Sequence, residues 1–144
     1  MDVRRVARQL PLRLASGAFI LNSGLSKRGA DQEAAEQLHG FASTAYPVVG
    51  RHEPQRFVRM LSTAEIALGT VLLVPAVPGV VAGAGLTAFS AGLVGLYLRT
   101  PGMRQEGSLR PTEQGIALAK DSWLLGIGMS LIVDGLPECG RRSR

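Results

Sequence analysis

Long apolar segments separated by short polar breaks run through most of this 144-residue chain. The longest uncharged segment covers residues 66–98. A single helix of that length would run about 50 Å, whereas the hydrocarbon core of a bilayer is about 30 Å thick. Pro75 and Pro78 interrupt the segment near its middle, and proline removes a helix donor and clashes with the preceding turn. The pattern therefore predicts two spans, at about 57–74 and 79–98, joined as a hairpin.

Two further apolar segments predict a span towards each end of the chain. The first covers about residues 10–27, where the long side chain of Arg13 can extend to the interface. The last covers about residues 113–135, and Pro111 suits the first turn of the helix that leads into it. Because Arg13 and Asn22 interrupt the first apolar stretch, we expect a retained span here rather than a cleaved signal peptide.

Residues 31–46 carry a different, amphipathic pattern. Asp31 is a suitable N-cap, and Glu33 lies in the first turn, where an acidic group favours the helix dipole. Apolar residues recur at helical spacing on one face: Ala34, Leu38, Phe41, Ala42 and Ala45. We expect a short helix that lies on the bundle or at the membrane surface.

Together these elements predict an all-α integral membrane protein that forms a single domain over residues 1–144. Its core would be a four-transmembrane-helix bundle, with a short amphipathic helix between the first two spans. An even number of spans places both termini on one side. The tight clustering of basic residues near the termini favours the cytoplasmic side of the membrane.

Small residues at regular spacing predict where the helices of such a bundle pack closely. One stripe falls on the third predicted span, one on the fourth and one on the second: Ala84, Ala88 and Gly92; Ser122, Gly126, Ser130 and Asp134; Ser62, Glu65 and Gly69.

Composition removes several classes of function. A net charge of +5 and a pI of about 10.3 would suggest nucleic acid in a soluble protein, but basic residues that flank spans meet lipid phosphates instead. The single cysteine, Cys139, excludes an intramolecular disulfide and a CxxC pair. His39 and His52 lack a cluster of further ligands, so no metal site is expected. No motif for a catalytic residue is present, and catalysis by this chain alone is not expected.

Glu65 is the residue most indicative of function. It lies about nine residues into the second predicted span, roughly 13 Å deep. A charge there costs roughly 2.5–3.5 kcal/mol on insertion scales, so the carboxyl must face the bundle, be paired or be protonated. Such carboxyls mark ion, proton or ligand sites, and the alternative is a purely structural carboxyl bonded across helices.

Four other polar residues share the depth of Glu65 and its side of the predicted bundle. They are Lys27, Asn22, Arg59 and Asp121. We expect them to converge with Glu65 in one polar pocket, which would be a ligand or proton site. The alternative for Lys27 and Arg59, and for Trp123, is that they anchor the spans at the interface.

The order of these features resembles the DoxX family of small bacterial membrane proteins. Three stretches carry the resemblance: Arg13-Leu14-Ala15-Ser16-Gly17 through Gly24 to Lys27, Ser62-Thr63-Ala64-Glu65-Ile66-Ala67-Leu68-Gly69, and Ala119-Lys120-Asp121-Ser122-Trp123-Leu124-Leu125-Gly126. The resemblance covers about residues 10–135. It implies a four-helix membrane fold, a polar site at Lys27, Glu65 and Asp121, and a link to quinone-coupled or oxidative-stress chemistry. A related group uses paired cysteines, which this chain lacks.

Three functions follow as hypotheses. The first is an accessory or anchoring subunit of a redox or oxidative-stress-linked membrane complex, whose partner is a membrane-associated or soluble redox enzyme. The second is an oxidoreductase subunit that binds quinone between helices, with Glu65 exchanging a proton and Asn22 or Lys27 polarising a quinone oxygen. The third is a small proton-linked transporter, which would require a homo-oligomer because four short helices make a narrow pathway.

Overall fold

A computed structural model describes residues 3–136 of the chain, and within that range the regular structure is helical. A short 3₁₀ turn, Val49–Arg51, follows the second helix. The helices are α1 (Val3–Arg28), α2 (Gln32–Ala45), α3 (Pro54–Leu73), α4 (Gly79–Arg99), α5 (Ile116–Ala119) and α6 (Ser122–Gly135). Cys139 and the basic residues of the tail, Arg141, Arg142 and Arg144, lie outside the described range.

Two local predictions are confirmed. The proline-containing segment does break the long apolar run, because α3 ends at Leu73 and α4 begins at Gly79. The amphipathic helix forms as α2, and the side chain of Asp31 accepts a hydrogen bond from the backbone N–H of Ala34 at 2.9 Å. This helix lies across α3 and α4 on the outside of the bundle.

The prediction for the start of the last helix was wrong. Pro111 does not open a helix but forms an isolated antiparallel bridge with Arg104. Helical structure begins only at Ile116 and is interrupted around Asp121, so α5 and α6 replace one helix over 113–135. A proline in the first turn of a helix and a proline in a turn have the same backbone angle, so the sequence alone does not separate them.

The bundle consists of two antiparallel pairs of helices. Packing is most extensive between α1 and α3 and between α4 and α6, whereas α3 and α4, which follow each other in sequence, pack much less closely. The buried apolar residues at the centre come from α1, α3, α4 and α6: Ile20, Leu72, Ala82, Leu86, Leu124 and Leu131. The two pairs therefore share one core.

Two of the three predicted stripes of small residues do not form the close helix contacts expected of them. Ser62, Glu65 and Gly69 are buried as predicted, but Ala84, Ala88 and Gly92 face outwards, and so do Ser122, Gly126 and Ser130. The α4–α6 contact forms instead at Gly83 and Gly128, where the backbones meet. Both helices are apolar on all sides, so periodicity could not indicate which face packs.

The sequence predicted that the side chain of Arg13 extends to an interface. Instead, Arg13 is buried and only 4% exposed. Its guanidinium donates hydrogen bonds to the carbonyl oxygens of Val71, Leu72, Val74 and Val77 over distances of 2.9–3.2 Å. The last carbonyls of a helix lack partners within the helix and carry partial negative charge. Arg13 therefore caps the C-terminus of α3 and joins α1 to the α3–α4 turn.

Two of the described helical segments, Gly79–Arg99 and Ile116–Gly135, are long and apolar enough to cross a membrane. The helices α1 and α3 are less apolar, because charged residues interrupt them. Large apolar side chains on the outer surface include Phe19, Val81, Met129 and Val133.

The Gly83–Gly128 contact predicts a measurable loss of stability on adding a single methyl group. A Cβ at position 83 would lie 2.6 Å from the carbonyl oxygen of Gly128, a backbone atom that cannot move aside alone. We expect Gly83→Ala to lower the free energy of unfolding by about 1–3 kcal/mol, as overpacking does. Thermal or denaturant unfolding of the purified protein in mild detergent measures it.

The matched control is Gly126→Ala, because a Cβ there meets nothing within 4 Å. This change should be neutral or stabilise the protein by up to about 1 kcal/mol, since alanine favours a helix over glycine. Equal effects of the two substitutions would contradict the α4–α6 contact.

Candidate functional site

An ion pair between Lys27 and Glu65 lies inside the bundle. The Lys27 Nζ is 2.9 Å from Oε2 and 3.1 Å from Oε1 of Glu65. The Glu65 side chain is 5% exposed and that of Lys27 19%. Lys27 also donates a hydrogen bond to the Ser23 hydroxyl at 2.6 Å. A carboxylate in this position needs such a partner, because an unpaired buried charge costs several kcal/mol.

Close packing of α1 on α3 brings the two charges together. A Cβ at Gly24 would lie 2.9 Å from the backbone nitrogen of Ile66 and equally close to the Glu65 side chain. The Ser62 hydroxyl donates a hydrogen bond to the Gly24 carbonyl at 2.7 Å, which sets the register of the two helices. Lys27 lies about one turn beyond Gly24, so its amine reaches the Glu65 carboxylate.

The pair faces a cavity of about 250 Å³ between the two helix pairs and beneath α2. Glu65, Lys27, Ser23 and Asp121 supply its polar groups. Most of the wall is apolar and partly aromatic: Phe19, Ile20, Leu38, Phe41, Phe57, Leu61, Phe89, Leu93, Leu96, Leu118 and Leu124. An apolar cavity with a few convergent polar groups is the usual form of a small-molecule site.

The structure brings together three of the five residues that the sequence singled out. Lys27 and Glu65 are bonded, and Asp121 lines the same cavity at the start of α6. Asn22 is exposed and does not line the cavity. It lines a separate groove between α1 and α2, which Ser23 and Lys27 also line.

Arg59 is exposed on the outside of α3. It precedes Glu65 by six residues, which places its side chain about 120° away from that of Glu65 around the helix. The prediction used the position of each residue along its helix but did not consider the direction of its side chain.

Sequence reasoning missed the residues that shape the site. Phe19 precedes Ser23 and Lys27 at four-residue spacing, so all three share one face of α1. That spacing could have placed Phe19 at the site. The sequence placed Leu38 and Phe41 on the apolar face of α2, but only the tertiary packing shows that this face covers the cavity.

The two histidines have different surroundings. The His39 Nε2 lies 2.9 Å from the Val49 carbonyl oxygen, and its ring packs edge-on against Phe57. His52 is exposed. In the part of the chain that the structure describes, no group of three or more His, Cys, Asp or Glu side chains could hold a metal ion.

Comparison of the chain with protein-family models, with curated proteins and with solved structures finds no match. The geometry of the Lys27–Glu65 site and its cavity therefore carries the functional argument.

A double-mutant cycle tests how strongly Lys27 and Glu65 depend on each other. Lys27→Met leaves a buried carboxylate without its partner, and we expect a loss of about 3–5 kcal/mol in the free energy of unfolding. The double variant Lys27→Met/Glu65→Leu should lose less than the sum of its single variants, because neither charge is left unpaired. Unfolding in mild detergent measures all four proteins.

Arg59→Met, on the exposed side of α3, is the control and should stay within about 0.5 kcal/mol of the wild type. Additive losses for Lys27 and Glu65 would show that the pair contributes nothing as a pair.

Proposed function

We propose that this chain is a multi-pass protein of the bacterial cell membrane that binds a molecule of the quinone class at the Lys27–Glu65 cavity. The observation that carries the proposal is the buried ion pair on the wall of an apolar, partly aromatic cavity. The four spans would be α1, α3, α4 and the α5–α6 segment, with both termini in the cytoplasm.

Exposed apolar surface supports the membrane location. In the most apolar windows of the segments Gly79–Arg99 and Ile116–Gly135, only 22% and 17% of the residues are buried. The core helix of a soluble protein would bury most of such a window, whereas a bilayer accepts apolar side chains on the outer face of a bundle. Trp123, at 71% exposed, is of the residue type that is enriched at membrane interfaces.

The size of the cavity suits a single substituted ring. A dry cavity of about 150 Å³ can hold benzene, and this cavity of about 250 Å³ leaves room for ring substituents. Four phenylalanines line it: Phe19, Phe41, Phe57 and Phe89. Flat aromatic rings pack favourably against such side chains.

The polar groups suit both oxidation states of a quinone. The Lys27 ammonium has only donors, so it can bind a quinone carbonyl. The carboxylates of Glu65 and Asp121 accept hydrogen bonds, so they can bind the hydroxyls of the reduced quinol. The Lys27–Glu65 pair thus presents a donor and an acceptor to the same cavity, and the ligand would exchange with part of the hydrogen bonding within the pair.

An accessory role in a redox or oxidative-stress complex is the second candidate, and the resemblance to the DoxX family, which implies a link to quinone-coupled or oxidative-stress chemistry, is compatible with it. Two surface features favour a protein partner. The outer face of α2 is exposed and carries Glu33 and Glu36. The loop between α4 and α5 carries Leu109, 72% exposed, and is held by hydrogen bonds such as that from the Tyr97 hydroxyl to the Leu109 carbonyl at 2.8 Å.

Four spans predict a definite pattern of thiol labelling. On a Cys139→Ser background, Glu106→Cys would lie outside the cell, whereas Ala76→Cys in the α3–α4 turn would lie in the cytoplasm. We expect a membrane-impermeant maleimide to label position 106 in intact cells and position 76 only after permeabilisation. Native Cys139 should behave like position 76. Labelling of position 76 in intact cells would contradict the four-span topology or its orientation.

The ligand is tested by purification from native membranes in mild detergent, followed by quinone analysis of the lipid extract and mass spectrometry of the proteins. We expect bound quinone in the wild type. Substituting Lys27→Met or Glu65→Gln should weaken quinone binding about 10- to 100-fold, because each removes a charged hydrogen-bonding group.

The control for quinone binding is Arg59→Gln, on the same helix but outside the cavity, which should bind as the wild type does. Quinone retained equally by all four proteins, or absent from the wild type, would overturn the proposal. A stoichiometric redox enzyme with no quinone would favour the accessory role.

A further inference from the structure

A second opening lies on the outer surface of the bundle, between α1 and the α5–α6 segment. It is a cleft of about 470 Å³, within the range of roughly 300–1,000 Å³ that is usual for small-molecule sites. Its walls are mostly apolar and come from Ala15, Ser16, Phe19, Ala117, Lys120, Asp121, Trp123, Leu124 and Ile127. We call it the α1–α6 cleft.

The α1–α6 cleft and the inner cavity beside Lys27 and Glu65 share three lining residues. Phe19, Asp121 and Leu124 line both. Leu124 is buried, whereas the Phe19 side chain is 60% exposed, so Phe19 reaches from the inner cavity to the outer surface. A molecule that extends from Glu65 between Phe19 and Asp121 would therefore emerge into the cleft rather than end inside the bundle.

We propose that the ligand is membrane-borne, with its ring beside Lys27 and Glu65 and an apolar tail in the α1–α6 cleft. This inference rests on the proposed function and names the class of quinone: one that carries a long hydrocarbon tail and enters sideways from the bilayer. Phe19, on the shared wall, is then the residue past which the tail leaves the cavity.

The volumes and the walls support a ligand divided in this way. The inner cavity, at about 250 Å³, holds a ring but not a long tail as well. The cleft offers exposed apolar side chains where the proposed topology places lipid. A tail there exchanges lipid contacts for protein contacts, and Asp121, which lines both openings, lies where the ring and the tail would meet.

A rival entrance exists on the other side of Lys27, in the groove between α1 and α2. That groove, also about 470 Å³, is lined by Asn22, Ser23, Ser26 and Lys27 together with Phe19, Ala30, Ala34 and Leu38. Its walls are more polar than those of the cleft, and it would suit a water-soluble ligand. If the ligand enters through the α1–α6 cleft, blocking the cleft weakens binding and blocking the α1–α2 groove does not. If it enters through the groove, the reverse holds.

The experiment compares a tail-less benzoquinone with a long-tailed one, bound to the full chain in lipid nanodiscs and measured by equilibrium binding. Ala15→Trp fills the cleft without contacting Lys27 or Glu65. We expect it to weaken binding of the long-tailed quinone at least tenfold relative to wild type and to change binding of the tail-less one less than threefold. Ala117→Trp, from the opposite wall, should do the same.

Ala34→Trp, which fills the rival groove, is the matched control and should change neither affinity more than threefold. Thermal unfolding of each variant shows that it is folded, and Ala117→Trp stands in if Ala15→Trp is not. Unchanged binding of the long-tailed quinone in both cleft variants would overturn the proposal. Weakened binding in Ala34→Trp alone would assign entry to the aqueous groove instead.

The outcomes separate this inference from the proposed function. If wild type binds both quinones, and Lys27→Met weakens both while the cleft variants weaken neither, the quinone site stands and the cleft proposal fails. If wild type binds neither quinone, the proposed function fails and the cleft proposal fails with it.

Discussion

A buried carboxylate that must be neutralised is the constraint on which this structure depends. Glu65 lies in the middle of α3, and its charge is balanced by Lys27 from α1, with Oε2 2.9 Å from the amine. The amine reaches it only because Gly24 allows the two backbones to meet, and the Ser62–Gly24 hydrogen bond holds that register. The pair therefore couples a close contact between the backbones of α1 and α3 to a buried polar point inside the bundle.

At the opposite end of the bundle, basic side chains of α1 bind carbonyl and carboxylate oxygens of α3 and α6. Helix ends leave carbonyls without partners. Arg13 donates hydrogen bonds to the carbonyls of Val71 and Leu72 in the last turn of α3 and to those of Val74 and Val77 just beyond it. Nearby, Asp134 of α6 accepts a hydrogen bond from Gln9 at 2.7 Å and pairs with Arg8 at 3.0 Å. α1 is thus bonded to α3 at both ends of their contact and to α6 at one end.

Between these two fixed ends, the α1–α3 and α4–α6 pairs leave space that neither pair fills. That space is the cavity beside Glu65, and its walls include residues of α1 and α6, whose mutual contact is weaker than the contact within either pair. The helices pack closely within the α1–α3 pair and within the α4–α6 pair but less closely between the pairs. The space for a ligand therefore lies between the pairs, where it does not interrupt the packing within either one. The same arrangement explains why Asp121, at the interruption before α6, reaches the cavity although it is far from Lys27 in sequence.

The sequence by itself determined the helical class, the break after Leu73, the capped amphipathic helix and the need of Glu65 for a partner inside the bundle. Each depends on local chemistry: proline geometry, an Asp31 cap, apolar periodicity and the cost of a charge in an apolar run. Only the tertiary structure decided which helices pair, that Arg13 turns inwards, and that Arg59 and Asn22 lie outside the cavity. Helices such as α4 and α6, apolar on every side, give no indication of their packing face, and depth along a helix does not define the direction of a side chain. Those choices depend on where a neighbouring backbone approaches, which is a property of the assembled bundle.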